Sequence, residues 1–451
     1  MSTVPRSLLY ITGQMAGVQK NTSRVFPLNG TDFTNQQIIT FELPSAGLID
    51  LSTLFCSFKA GVSADESAAT LRLPGDIHKL LQRVVVRVGG IIVSDFNEFG
   101  RFKHGHDNLT GKSVSNAAHP EILRSYDNQL DYSSTFTTTK NQVINDEQGL
   151  FAWSEFSNTF LDSTTPRILN MDYLPQCYVD FHLASDICTA SNGISDISTF
   201  TTLTTATGAP VVFDVNDPQL KFDMVSFDTA AYDNLIASEI QSTGKLSIPF
   251  KRCRHSVNNT FNLSHDFNVQ TESLDRIHFQ VSEAAAKLST DRVAPVVQFD
   301  AAAGGDSGKG PTLGGAEGYY NPKMAGSFVA GVDASDYDNY AYQLTLNGTP
   351  APNYFAGATD WYKFSRDAVS EHCCSYYKGS LPKWIGNNHC VYRLNLPNSA
   401  NNYRTGLDTR AANLFMTLQN KMGIATACVD VWCEYTSVLE VMPGRTAVLR
   451  P

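Results

Sequence analysis

Hydrophobic positions in this chain fall in short runs, many alternating with polar positions. Gly, Pro, Asn, Asp, Ser or Thr interrupts them at intervals of roughly ten residues. A period of two puts every second side chain on one face of an extended backbone, so the pattern predicts half-buried strands. Ile38–Leu43 (IITFEL) and Leu48–Phe58 (LIDLSTLFCSF) are the first. Gln82–Val93 (QRVVVRVGGIIV) predicts two strands about Gly89-Gly90, because both glycines accept the positive φ of a tight hairpin turn. Further strands are expected at Cys177–Ala184, Gln219–Phe227, Lys245–Phe250, Leu274–Val281, Tyr340–Leu346 and Cys428–Tyr435. Helical periodicity is scarce, and short helices are predicted at Ile77–Gln82, Tyr232–Ser242 and Thr409–Lys421.

Many short strands at this spacing point to a sandwich or barrel. A jelly roll uses eight strands. At roughly 100–200 residues per domain, the 451 residues suffice for two. The expected fold is all-β: two consecutive jelly-roll β-sandwich domains with long loops and a few short helices. The division expected is an N-terminal arm over 1–28, a first roll over 29–244, and a second roll with a C-terminal tail over 245–451. A faint internal echo agrees: Cys177–Phe181 (CYVDF) resembles Cys428–Trp432 (CVDVW), and Leu48–Phe58 has a weaker counterpart in Leu274–Val281. Ser185–Pro210 and the Gly-dense Asp300–Gly318 bury little and are expected to be long surface loops.

Charge removes one class of partner. There are 34 Lys and Arg against 44 Asp and Glu, a net charge of −10, and only 17% of residues are charged. A nucleic-acid binder would carry basic clusters. Hydrophobic residues make up 42%, enough for sizeable cores. No run reaches the ~18 apolar residues of a membrane-spanning helix. The apolar stretch Leu8–Ile11 is too short for a secretory leader, so the nine cysteines are read as thiols in a reducing compartment. Cys56, Cys177, Cys428 and Cys433 are expected to be reduced and buried.

No motif assembles a catalytic site. Gly305-Asp306-Ser307-Gly308 matches the nucleophile segment of chymotrypsin-like proteases, but no His or Asp context accompanies it. It is read as loop, with Ser307 no nucleophile. Gly308-Lys309 is followed by Gly310 rather than Ser or Thr, so it is no phosphate-binding loop. His372-Cys373-Cys374 and His389-Cys390 have zinc-ligand types without zinc-ligand spacing. His104-Gly105-His106 would put two imidazoles on one face of a strand, with no further ligand beside them. Asn-x-Ser/Thr sequons at Asn21, Asn29, Asn108, Asn258, Asn262 and Asn347 are expected to be unmodified. No pair of carboxylates stands out for glycosidic chemistry. The expectation is therefore no enzyme, with no catalytic, cofactor-binding or metal-binding residue and no cofactor.

The order of segments resembles the double jelly-roll major capsid proteins of icosahedral DNA viruses, particularly polinton-like viruses and virophages. Phe41-Glu42-Leu43-Pro44 leading into Leu48-Ile49-Asp50-Leu51 is similar to their first strands. Leu80–Asp95 is similar to their helix–strand–turn–strand segment, with Gly89-Gly90 where many members have Asn-Gly. Gln219–Phe250 resembles the end of the first roll, and Ser273–Val281 an early strand of the second. The resemblance implies a structural subunit that forms pseudo-hexagonal homotrimers. It implies contacts with neighbouring capsomers and with minor and penton capsid proteins, and no sequence-specific nucleic-acid binding. It places the protein in the virion shell, after synthesis and assembly inside the host cell. Met1–Thr22 would dock on a neighbour or a minor protein, and the long loops would interlock subunits. The alternative is a soluble β-sandwich protein that binds carbohydrate or a receptor.

Overall fold

The computed structural model describes residues 19–63, 71–72, 77–110, 122–124, 149–164, 167–184, 189–190, 212–226, 230–261, 264–283, 340–368, 389–394, 405–411, 413–420 and 427–450. Among the described residues, eight principal strands build the first half: β1 (Gln19–Val25), β2 (Ile38–Glu42), β3 (Leu48–Ser63), β4 (Leu81–Val88), β5 (Ile91–Asn97), β6 (Gly149–Ser154), β7 (Cys177–Leu183) and β8 (Val212–Ser226), with strands of two or three residues such as Asp32–Thr34, Ile122–Arg124 and Ile168–Asn170 added to the first sheet. They form two antiparallel sheets, β1–β8–β3–β6 and β2–β7–β4–β5. The second half adds β9 (Leu246–Phe261), β10 (Ser264–Asp266), β11 (Leu274–Glu283), β12 (Tyr340–Leu346), β13 (Thr349–Ala356), β14 (His389–Arg393), β15 (Leu414–Asn420) and β16 (Ala427–Met442). Its sheets run β9–β16–β11–β14 and β10–β15–β12–β13. With each half's strands counted in order, both read first–eighth–third–sixth and second–seventh–fourth–fifth. The chain builds one jelly-roll topology twice. A last strand, β17 (Thr446–Arg450), pairs with the end of β16.

Gly89 and Gly90 turn with φ of 58° and 83°, as the hairpin requires, and Val88 pairs with Ile91 across them. Among the described residues, four α-helices join the strands, α1 (Phe99–Thr110), α2 (Phe160–Ser163), α3 (Ala230–Thr243) between the rolls, and α4 (Ala358–Ala368), and Ile77–Leu80, within the helix expected over Ile77–Gln82, is a single 3-10 turn that leads straight into β4. The first core contains many aromatic rings, with the ring centres of Phe58 and Trp153 4.0 Å apart and Phe156 stacked on Phe181. In the second, Trp361 of α4 closes on Phe279 at 4.8 Å, edge to face.

Three expectations are corrected. Thr409–Lys421 was expected to be helical, yet Leu414–Asn420 is β15, paired with β12 on one side and β10 on the other. A short apolar run fits either period, and the flanking strands decide it. The echo between Cys177–Phe181 and Cys428–Trp432 joins non-equivalent strands, the seventh of one roll and the eighth of the other. Both are central strands of their sheets with alternate residues in a core, which selects similar apolar residues at each. Leu48–Phe58 and Leu274–Val281, by contrast, are the third strand of each roll. Finally, His104-Gly105-His106 lies in α1 rather than in a strand.

Within the segment read as an arm, Gln19–Val25 is strand β1 and pairs with β8 of its own roll, from Gln19↔Ser226 to Val25↔Leu220. Residues 1–18 lie outside the described residues, as do Asp300–Gly318 with Ser307, His372-Cys373-Cys374, and Ser185–Pro210 apart from the short strand Thr189–Ala190.

Cys56, Cys177, Cys253, Cys390 and Cys433 are free and buried. The side chain of Cys428 lies outside the described residues. Burial pushes the Cys177 and Cys433 thiols up to about 12, so the reactive thiolate hardly forms at neutral pH. Alkylation of the native protein, read by peptide mass mapping, should leave Cys56, Cys177 and Cys433 unlabelled, and denaturation should expose all three. Labelling of any of them in the native state would contradict this burial.

Candidate functional site

Strand β16 has two faces with different fates. Val429, Val431, Cys433 and Tyr435 enter the core of the second roll with Ile277 and Phe279 of β11. Alternate residues must point the other way. These are Asp430, Trp432 and Glu434 on β16 and His278 and Gln280 on β11, and none is more than 2% exposed. A sheet face turned outward would be wet. Here the first roll covers it, and Ile248, Phe250, Cys253, Trp432, Leu439 and Val441 of the second roll belong to the first roll's core cluster.

The covering element is α1, whose Gly100 fits against the backbone of its own roll and whose Gly105 fits against the second. A Cβ at Gly100 would stand 2.5 Å from the His78 carbonyl and 2.8 Å from that of Leu81. One at Gly105 would collide with the Gln280 amide and lie 2.6 Å from His389 Nδ1. Backbone approach this close is open only to glycine. Phe102 of the same helix packs edge-on against His278, His389 and Trp432.

Polar contacts fill the junction. Arg101 Nη1 stands 2.5 Å from Asp430 Oδ2, both side chains fully buried, and His255 Nε2 lies 2.8 Å from Asp430 Oδ1. Arg101 Nε donates to Gln280 Oε1 at 2.9 Å. Gln280 Nε2 contacts His389 Nδ1 at 2.9 Å, His389 Nε2 contacts His278 Nδ1 at 3.1 Å, and His278 Nε2 contacts Glu434 Oε2 at 3.2 Å. From the first roll, Asn158 Nδ2 donates to Glu434 Oε2 at 3.2 Å, and Trp432 Nε1 donates to the Asn97 carbonyl at 3.3 Å. Lys103, buried, pairs with Glu155 at 3.3 Å. Burial works to raise the Glu434 carboxyl, but Arg276, the His278 hydrogen bond and Lys251 act against it, and the group lies well below the usual carboxylate range. Buried charges paired in this way fix one arrangement of two surfaces, since any other leaves a charge unpaired.

The junction's side chains are buried and bonded to one another, and they align the two rolls. His389 lies among them, bonded to Gln280 and His278. Among the described residues, no group of three or more His, Cys, Asp or Glu is placed to hold a metal ion. Sequence reasoning did not single out Arg101, His278, Gln280, Asp430 or Glu434. The available signal was acidic residues spaced four apart within an otherwise apolar strand, Cys428–Tyr435.

No family model and no curated protein matches the sequence. Solved structures do match in shape. A chain of the PBCV-1 virus capsid superposes with a TM-score of 0.56 at 12% identity, over 97% of each chain. The Faustovirus major capsid protein superposes with a TM-score of 0.51 at 9% identity, over 95% of this chain and 91% of that one. At such identities the likeness is one of fold, and it runs nearly end to end. The chain has the double jelly-roll fold of these viral capsid structures.

Proposed function

We propose that the protein is a major capsid protein, a structural subunit with no catalytic role. Three chains form a pseudo-hexagonal homotrimer, and these capsomers tile an icosahedral shell. The observation that carries the reading is the strand order, identical in the two rolls, over a chain that spans 97% of a capsid chain's length. Two like rolls per chain give three chains six like lobes, and closed threefold symmetry ends growth at one tile. The units we assign are the arm 1–28, the first roll 29–244 and the second roll 245–451, with β1 as the part of the arm that joins the first sheet. In this reading the N-terminal segment ahead of β1 docks on neighbouring capsomers or on minor and penton proteins in the virion. A surface with few charges, 17% of all residues, limits repulsion between packed subunits.

Light scattering at micromolar concentration tests the reading. The expected species has about three times the chain mass of 49.4 kDa. A stable monomer would overturn the trimer and favour a soluble β-sandwich binding protein. Negative-stain images at several salt concentrations should show hexagonal particles.

A further inference from the structure

The links across the junction form one chain along which the fixed donor at one end orders the protons. A guanidinium can only donate, so the Gln280 atom facing Arg101 Nε is the carbonyl oxygen. The Gln280 amide nitrogen then donates to His389 Nδ1, which carries no proton. In a neutral ring the proton is therefore on His389 Nε2, pointing at His278 Nδ1. His278 in turn carries its proton on Nε2 and donates to Glu434. The chain starts on α1 of the first roll, crosses β11, β14 and β16 of the second, and returns to the first at Asn158.

We propose that this chain is an acid-sensitive latch between the two rolls: a second proton on His278 or His389 breaks it and loosens α1 from the second roll's sheet. A protonated imidazole donates from both nitrogens. On His278 the new Nδ1–H would face His389 Nε2–H across 3.1 Å, and on His389 it would face the Gln280 NH₂ across 2.9 Å. Shifting the His389 proton and flipping Gln280 only moves the clash to Arg101, which has no acceptor to offer. The cations near the chain are Arg101 and Lys103 on α1, Arg276 on β11 and Lys251 on β9. The carboxylates are Asp430 and Glu434 on β16 and Glu155 before α2. His106 of α1 lies 6.3 Å from His278, and His255 of β9 stacks on Trp432.

The direction of the pH effect follows. Burial pushes the His278 imidazolium down to about 4 from 6.5, against the raising pull of Glu434. A ring that is easier to protonate once exposed favours the open junction increasingly as pH falls from about 6.5 towards about 4. The latch lies within one chain, so its failure would leave the capsid reading standing, and a monomeric protein would leave the latch standing.

The test uses the full-length protein and hydrogen–deuterium exchange read by mass spectrometry across this pH range. Exchange at the imidazole C2 position reports the protonation of each ring. Backbone exchange, corrected for its intrinsic pH dependence, reports the protection of α1. Both rings should be neutral at pH 7, and α1 exchange should rise by about tenfold or more on acidification. Its midpoint should coincide with the titration of His278 or His389, while β3 and β8 stay protected. In the doubly substituted His278→Gln/His389→Gln protein the acid-induced rise should vanish. Unchanged α1 protection down to pH 4, or a ring protonated at pH 7 beneath a protected helix, would overturn the latch. These wild-type readings decide the matter even where the double variant folds poorly.

Discussion

Arg101→Met should destabilise the protein by about 3–5 kcal/mol, the usual penalty for removing one partner of a buried ion pair. Arg101 and Asp430 are both fully buried with 2.5 Å between their charged atoms. The substitution keeps much of the side-chain volume but strips Asp430 Oδ2 of its guanidinium, and it leaves Gln280 Oε1 without its donor. His255 stays on the other Asp430 oxygen, where it offers at most one hydrogen bond. Removing both charges should do less harm than removing one. The double variant Arg101→Met/Asp430→Leu should recover most of the loss, because no unpaired charge then remains in the junction. Urea denaturation followed by circular dichroism measures both. A loss below about 1 kcal/mol for Arg101→Met would place the pair among solvent-screened ones and contradict its burial.

Trp432→Ala is expected to cost about 3–5 kcal/mol, as large aromatic truncations in closed cores do. The indole is fully buried on the outward face of β16. It stacks on His255 with ring centres 5.2 Å apart and meets Phe102 at 5.8 Å and His389 at 6.0 Å. A cavity there would separate α1 from the sheet it covers, so hydrogen exchange in Phe99–Thr110 should accelerate more than exchange in the first roll's β3. Trp432→Phe keeps most of the apolar volume and removes the donor to the Asn97 carbonyl, a loss of roughly 1 kcal/mol. A melting midpoint for Trp432→Ala equal to that of wild type would mean that the rolls are not held through this face.

Much of the fold was legible because strands announce themselves locally. Alternation in IITFEL and LIDLSTLFCSF located β2 and β3, and Gly89-Gly90 located the β4–β5 turn with both φ angles positive. The helix α1 was not foreseen. Its sequence, FGRFKHGHDNLT, contains two glycines that oppose a helix energetically and are there for close approach to the neighbouring backbone and to Gln280 and His389. Leu414–Asn420 misled in the other direction, since its apolar spacing suits a helix until the flanking strands are in place.

By itself the sequence determined the class: short strands of period two, glycine-marked turns, enough apolar residues for two cores, and the segment order of a double jelly roll. Side-chain alternation and turn stereochemistry act over a few residues, so they can be read along the chain. Only the tertiary structure decided which outward faces are dry. Arg101 meets Gln280 across 179 positions, and Asn158 meets Glu434 across 276. Nothing local distinguishes Asp430 or Glu434 from the solvated acids of an ordinary strand. Their burial depends on a helix from the other roll closing over them, and their charges are tolerated there because that helix and the adjacent strands bring the partners.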